Sequence, residues 1–228
     1  MSVSTTRFNG VLTLTLNNPT RANALSPTMV AELIKELDKA EKDDDVRVLV
    51  LTGEGLFFSA GMDLAAASKG SGAPFDTALS IFKRIADSQN QQVIIDYIYY
   101  PMFARINGPA LGGGVGLVFA TDFRIAIDSS FIQLAEVKRG LIPAIISLYI
   151  VPQLGPSLSR AFFLTGEKVP IQRLHQAGII YSIATSPTHL DESVSSLAAL
   201  LIEGGPQLNR QSNSLFVSCL VQSLKTLK

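Results

Sequence analysis

The sequence predicts an α/β layered fold, and three features carry that expectation. Strand patterns of period two alternate with helical patterns of period 3.6 along the chain. Short apolar runs bounded by turn residues recur at 46–51, 102–106 and 123–127. A glycine run, Gly112-Gly-Gly114, opens directly into the apolar stretch Val115–Ala120.

The first element is a strand. Residues Val11 to Leu16 alternate Leu with Val or Thr, and Asn17-Asn-Pro19 ends the run. Ser26-Pro27 then opens a helix, with a hydroxyl at the cap and proline at the first helical position. Met29, Val30, Leu33, Leu37 and Ala40 fall on one face of it. Asp43-Asp-Asp45 reads as a solvated turn, followed by a buried strand from Val46 to Leu51. Lys69-Gly-Ser-Gly-Ala-Pro74 reads as a loop. Met102–Ile106 and Phe123–Ile127 repeat the strand signal, and from about Pro156 onward strands fade and helical patterns dominate. There is no repeat of fixed period.

Composition excludes several classes. The 228 residues suit one domain with a sizeable core. Nineteen basic against nineteen acidic side chains leave no net field, so nucleic acid is not an expected partner. The single Cys219 cannot form an internal disulfide, and His175 and His189 are too isolated to suggest a metal site. The sequence holds no apolar run of membrane-spanning length, no signal-peptide order at its N-terminus and no S-K-L ending. A soluble, intracellular protein is expected. Only 17% of residues are charged against 47% hydrophobic, more apolar surface than a monomer hides easily.

Chemistry concentrates in two turns. In Phe57-Phe-Ser-Ala-Gly-Met-Asp-Leu64, Gly61 permits a tight turn and Asp63 can cap a following helix. In the glycine run the first helical N–H groups lack intrahelical partners. Two such turns, each presenting one backbone N–H, are what a two-donor oxyanion site requires. Glu136, after Phe131–Ala135, is a nearby carboxylate; it reads either as strand-end surface paired with Lys138 or Arg139, or as an acid/base.

These pieces together resemble the crotonase superfamily, the enoyl-CoA hydratase/isomerase fold. The matching segments are Arg21-Ala-Asn-Ala-Leu25, Phe58-Ser-Ala-Gly-Met-Asp63, Asn107-Gly-Pro-Ala-Leu-Gly-Gly-Gly114, Asp122-Phe-Arg-Ile-Ala126 and Glu136-Val-Lys-Arg-Gly-Leu-Ile-Pro143. They keep the family's order over roughly residues 5 to 185. The resemblance implies a crotonase-type spiral of ββα units over 1–185 and a C-terminal helical region over 186–228, shorter than in many relatives. It implies that the Met62 and Gly113 N–H groups are the oxyanion donors and that Glu136 is the catalytic acid/base. Ala22, Ala24, Ala60, Asp63, Leu64 and Gly112 fall where CoA and substrate are held. The CoA thioester is the substrate, and neither a metal nor a further cofactor is implied. A homotrimer or dimer of trimers is implied, with no membrane partner.

The resemblance also bears on the reaction. Hydratases of the family carry two glutamates twenty positions apart, and the first of these positions is Gly116 here, twenty before Glu136. Hydration needs a water deprotonated and a proton delivered to carbon, a task for two carboxylates. One carboxylate suffices to move a proton from C2 to C4, which favours 3-enoyl-CoA to 2-enoyl-CoA isomerisation. Hydration or dehydration of a branched or carboxylated acyl-CoA is the alternative, since Ile142-Pro-Ala-Ile-Ile-Ser-Leu-Tyr149 replaces the family's glycine-rich continuation. A non-catalytic CoA-thioester binding subunit is the third reading. Asp122 looks structural, as a cap or partner of Arg124, and Tyr97, Tyr99 and Tyr100 read either as core aromatics or as lining of an acyl pocket. Gly116→Glu is the simple test of whether the missing acid sets the reaction.

Overall fold

The computed structural model describes residues 2–63, 80–82 and 100–204. Leu64, the loop 69–74, Tyr97, Tyr99 and Cys219 lie outside the described residues. Two sheets organise the described residues, one of six strands and one of three.

Strands β1 (Val3–Phe8) and β2 (Val11–Leu16) form an antiparallel hairpin around Asn9-Gly10, whose φ values of 46° and 78° suit the two-residue turn. β1 went unseen in the sequence because it is an edge strand with a polar centre, Ser4-Thr-Thr-Arg7, and little burial to impose alternation. Strand β3 (Val48–Gly53) pairs parallel to β2, then β4 (Met102–Ile106), β6 (Phe123–Ile127) and β9 (Ser182–Ala184) follow, each parallel to its neighbour. Every residue of β3 is buried, as expected for a parallel strand covered on both faces.

Helix α1 (Pro27–Glu41) begins where Ser26 Oγ accepts the Met29 N–H at 3.2 Å. It buries the five residues that its periodicity marks, Met29, Val30, Leu33, Leu37 and Ala40. The helix after the glycine run, α2 (Gly113–Phe119), is buried throughout.

A repeat then becomes visible. Strand β4 enters the large sheet, β5 (Ala110–Leu111) enters the small one, and α2 returns the chain. Strand β6 and then β7 (Phe131–Gln133) do the same before α3 (Ala144–Thr165). β3 follows suit through an isolated bridge from Ser59 to Ala110. This winding of ββα units is the spiral expected from the resemblance.

The C-terminal expectation needs correction. Helix does run from Pro156, but only as the second half of α3, behind a break at Gly155 with φ 71° and ψ 168°. The first half, from Ala144, was not foreseen. Nor do strands fade: β8 (Lys168–Pro170) pairs antiparallel with β7, and β9 completes the large sheet around α4 (Ile171–Gln176). Three-residue strands are too short to show a period. The last described helix, α5 (Pro187–Glu203), is capped by Ser186, whose Oγ accepts the His189 N–H. Its Leu190, Val194, Leu197 and Ala198 form a second core with Val48, Val50, Phe103 and Ile125 on one sheet face. Leu49, Leu51 and Ala104 face the opposite core, with α1 and α2. No described helix is long and apolar enough to cross a membrane.

Candidate active site

The two glycine turns meet. Gly61 takes φ +83°, and a Cβ there would stand 2.6 Å from Leu111 O and 2.9 Å from Gly113 N, so only glycine fits the contact. A Cβ on Gly113 would lie 3.4 Å from Met62 N and 3.3 Å from Met62 Cγ. The Met62 and Gly113 N–H groups therefore sit side by side, with the Met62 side chain over Gly113. Neither donates to any acceptor among the described residues. Their neighbours do: Gly112 N bonds Gln133 O at 2.9 Å, and Asp63 N bonds Leu25 O at 3.2 Å. Leu25 N in turn bonds Gly61 O at 2.8 Å, which turns the Met62 N–H away from that strand-like bridge.

The remaining motif residues hold these turns. Ser59 is fully buried; its Oγ donates to Asn23 O at 2.9 Å and accepts the Gly61 N–H at 3.1 Å. Asn23 Nδ2 bonds the Glu54 and Phe57 carbonyls, while Asn107 Oδ1 accepts the Gly53 N–H and its Nδ2 bonds Gly55 O. Arg21 reaches both oxygens of Asp63 at 3.1 Å. Ala22 O accepts the Ala60 N–H at 2.8 Å. Asp122 is structural, but through backbone: its carboxylate accepts the Met102 N–H at 2.8 Å, and Arg124 bonds its carbonyl. Burial lowers the Arg124 pKa to about 10, and its remaining donors go to Thr121 O and Ile179 O. Tyr100 is a core residue whose hydroxyl bonds Asp43 O, and both histidines sit exposed on helices α4 and α5.

A cavity of about 360 Å³ opens in front of the paired N–H groups. Of the residues expected in the site, Ala60, Met62, Gly112, Gly113 and Glu136 line it. Ala22 and Ala24 do not: Ala22 O accepts from Ala60 N behind the wall, while Ala24 bonds only within its own turn, to Arg21 O and Ser26 N. Asp63 is engaged with Arg21 at its edge. Glu136 caps the 3-10 turn Val137–Arg139, and its Oε1 would stand 3.1 Å from a Cβ on Gly112. Its Oε2 is buried without a hydrogen-bond partner. Burial raises the pKa of this carboxyl, opposed by its own backbone N–H and by the charge of Arg139. Neither Lys138 nor Arg139 forms an ion pair with it among the described residues, so the strand-end surface reading fails.

The sequence reading missed the opposite wall. Phe82, Leu141, Ile142, Ile145 and Ile146 also line the cavity. At Gly116, a Cβ would meet Ile146 Cγ2 at 2.4 Å and Phe82 Cζ at 2.5 Å. The volume a side chain at 116 would need is already filled by buried apolar groups. Gly116→Glu alone is therefore a steric collision, not the simple restoration of an acid that the sequence suggested. No signal near Gly116 announces Phe82, which is remote in the chain. Among the described residues no cluster of His, Cys, Asp and Glu could hold a metal.

A family model described as enoyl-CoA hydratase/isomerase matches residues 6–226. An enoyl-CoA hydratase from Alternaria alternata is 37% identical over 182 residues, covering 80% of this chain and 58% of its own length. Two further Alternaria hydratases are covered over 66% of theirs, so the chain spans less than two thirds of these relatives. The 2,3-dehydroadipyl-CoA hydratase of Escherichia coli is 30% identical over 218 residues, with 92% of this chain and 82% of that one covered. The crystal structure of an enoyl-CoA hydratase from Mycobacterium avium superposes with a TM-score of 0.81 at 31% identity, covering 99% of this chain and 85% of that one.

Proposed function

The chain belongs to the enoyl-CoA hydratase/isomerase family of the crotonase superfamily, and from that premise we propose that it moves the double bond of a 3-enoyl-CoA to the 2-position. The observation that carries this reading is that Glu136 is the one carboxylate among the described residues lining the cavity, with the place of a second one at 116 packed by Phe82 and Ile146.

The thioester oxygen would accept from the Met62 and Gly113 N–H groups. Glu136 takes a proton from C2, the C2–H electron pair moves into the thioester, and the charge collects on that oxygen as an enolate. The C2=C3 bond then forms, the C3=C4 electrons take the proton back from Glu136 at C4, and no other reactant is consumed. Donors fixed in advance stabilise the enolate more than the neutral thioester, so their effect appears in the barrier. Each such donor is typically worth roughly 3–4 kcal/mol. Burial of Glu136 strengthens it as a base and leaves its conjugate acid competent to return the proton.

A second reading has its own support, since the relatives compared are named hydratases. In it Glu136 alone would deprotonate water and hand the same proton to C2. A third, a subunit that binds CoA thioesters without turnover, is served by the same missing acid. Incubation with 3-enoyl-CoA and, separately, with 2-enoyl-CoA distinguishes them. Appearance of the conjugated thioester from the first supports isomerisation. Water addition to the second without migration in the first would replace it with hydration, and binding without turnover would leave the third reading. The assembly proposed is a homotrimer or dimer of trimers, consistent with exposed Leu148, Leu164 and Leu200. A stable monomer at micromolar concentration in light scattering would sink that proposal.

A further inference from the structure

The proton shuttle leaves one charged side chain of the cavity unused. Glu136 and Arg139 stand three residues apart at the 3-10 turn, and three residues complete one turn of such a helix, so both side chains face the cavity. Lys138, between them, goes the other way: its Cε would lie 3.3 Å from a Cβ on Gly166. The Arg139 backbone N–H donates to Glu136 O at 2.9 Å, but its guanidinium, exposed at the cavity's rim, has no hydrogen bond or ion pair among the described residues and acts on the Glu136 carboxyl only through space. Around it the wall is apolar, formed by Leu141, Ile142, Pro143 and Ile145.

Contrast with Arg124 shows what an arginine with a structural task looks like. Each nitrogen of that guanidinium bonds a backbone carbonyl. No donor of the Arg139 guanidinium is engaged among the described residues, and it stands at the solvent-exposed rim of the cavity. A guanidinium offers two parallel N–H groups whose spacing matches a carboxylate, and the apolar side chains beside it leave the carboxylate end of a chain no competing polar partner there.

We infer that Arg139 selects acyl chains that end in a carboxylate, held by the guanidinium while the thioester lies at Met62 and Gly113. This rests on the reading of the cavity as the acyl site. At about 360 Å³ the cavity lies near the lower end of small-molecule sites and suits a short acyl chain as the probe.

The test uses two six-carbon acyl-CoA thioesters, one ending in methyl and one in carboxylate, each presented in its 3-enoyl and 2-enoyl form. kcat/KM is measured for the wild-type protein, Arg139→Gln and Arg139→Lys, and Kd is measured with Glu136→Gln so that preference is read even without turnover. The expected result is a preference of about tenfold or more for the carboxylate in the wild type, expressed mainly in KM. That ratio falls to near one in Arg139→Gln and is partly kept in Arg139→Lys. Equal use of both thioesters by the wild type overturns the proposal. So does a ratio that Arg139→Gln leaves unchanged while both values fall together, which would assign the charge to CoA phosphates or to Glu136. Failure of either thioester to bind or react would bring down the acyl-site reading itself, and this proposal with it.

Discussion

The cavity has two walls built on different principles. One is backbone: Ala60–Met62 and Leu111–Gly113 present main-chain N–H groups, and nearly every neighbouring polar group is engaged by Asn23, Ser59 or a strand carbonyl. The other is side chain: Glu136, Arg139, Leu141 and Ile142 project from a 3-10 turn that ends at Gly140 in the left-handed region, with nothing within 4 Å of where its Cβ would be. Charge stabilisation needs donors that do not move, whereas substrate choice needs groups that can be exchanged without disturbing them. The function proposed above would assign those two tasks to the two walls.

If the walls divide the work in this way, the largest effect belongs to Glu136. Glu136→Gln should lower turnover by about two to four orders of magnitude while acyl-CoA binding is kept. Its pH profile supplies a check on the cause. A base acts only when ionised, and burial raises the Glu136 pKa, so the acid limb of kcat/KM should lie above the ordinary glutamate range. Arg139→Gln removes a charge that lowers this pKa and should move the limb higher still. A wild-type rate in Glu136→Gln would place the shuttle elsewhere.

Next is Gly61→Ala, on the backbone wall. A Cβ at 2.6 Å from Leu111 O, on a residue at φ +83°, adds strain to overlap, and urea unfolding should register a loss of about 2–5 kcal/mol. Gly140→Ala on the other wall has the strain without the overlap, and about 1 kcal/mol is expected. Equal losses at the two glycines would erase the contrast between the walls.

The smallest effect concerns stability alone. A carboxyl whose pKa is raised on folding contributes stability that is present below its unfolded pKa and lost as pH rises through the folded value. Glu136→Gln should therefore match the wild type in Tm at acid pH and exceed it increasingly as pH passes through that window.

Much of the backbone wall was legible in the sequence, and little of the other. The face of α1 could be read residue by residue because periodicity states which side is buried. The oxyanion turns were legible because glycine at 61 and 113 answers a local geometric need. Edge strand β1 and the three-residue β8 and β9 were not, since nothing in a short or exposed strand enforces a pattern. The first half of α3 carries Pro152 and is broken at Gly155 before Pro156 opens the second half, so its helical period is interrupted in the sequence. Phe82 is a contact across more than thirty positions from Gly116, and no local signal encodes such a partner. Arg139 was noticed only as a neighbour of Glu136; that its guanidinium lines the cavity without a partner among the described residues emerges only in three dimensions.

The plug at Gly116 also constrains how this site could have changed over time. An acid introduced at 116 first meets the Phe82 ring at 2.5 Å. Cutting Phe82 to alanine first empties a fully buried position, at a cost of about 3–5 kcal/mol. Neither order is neutral, because each change is tolerable only after the other. A carboxylate at 116 is therefore at least two linked substitutions away from this sequence, since the Phe82 ring must give way with it.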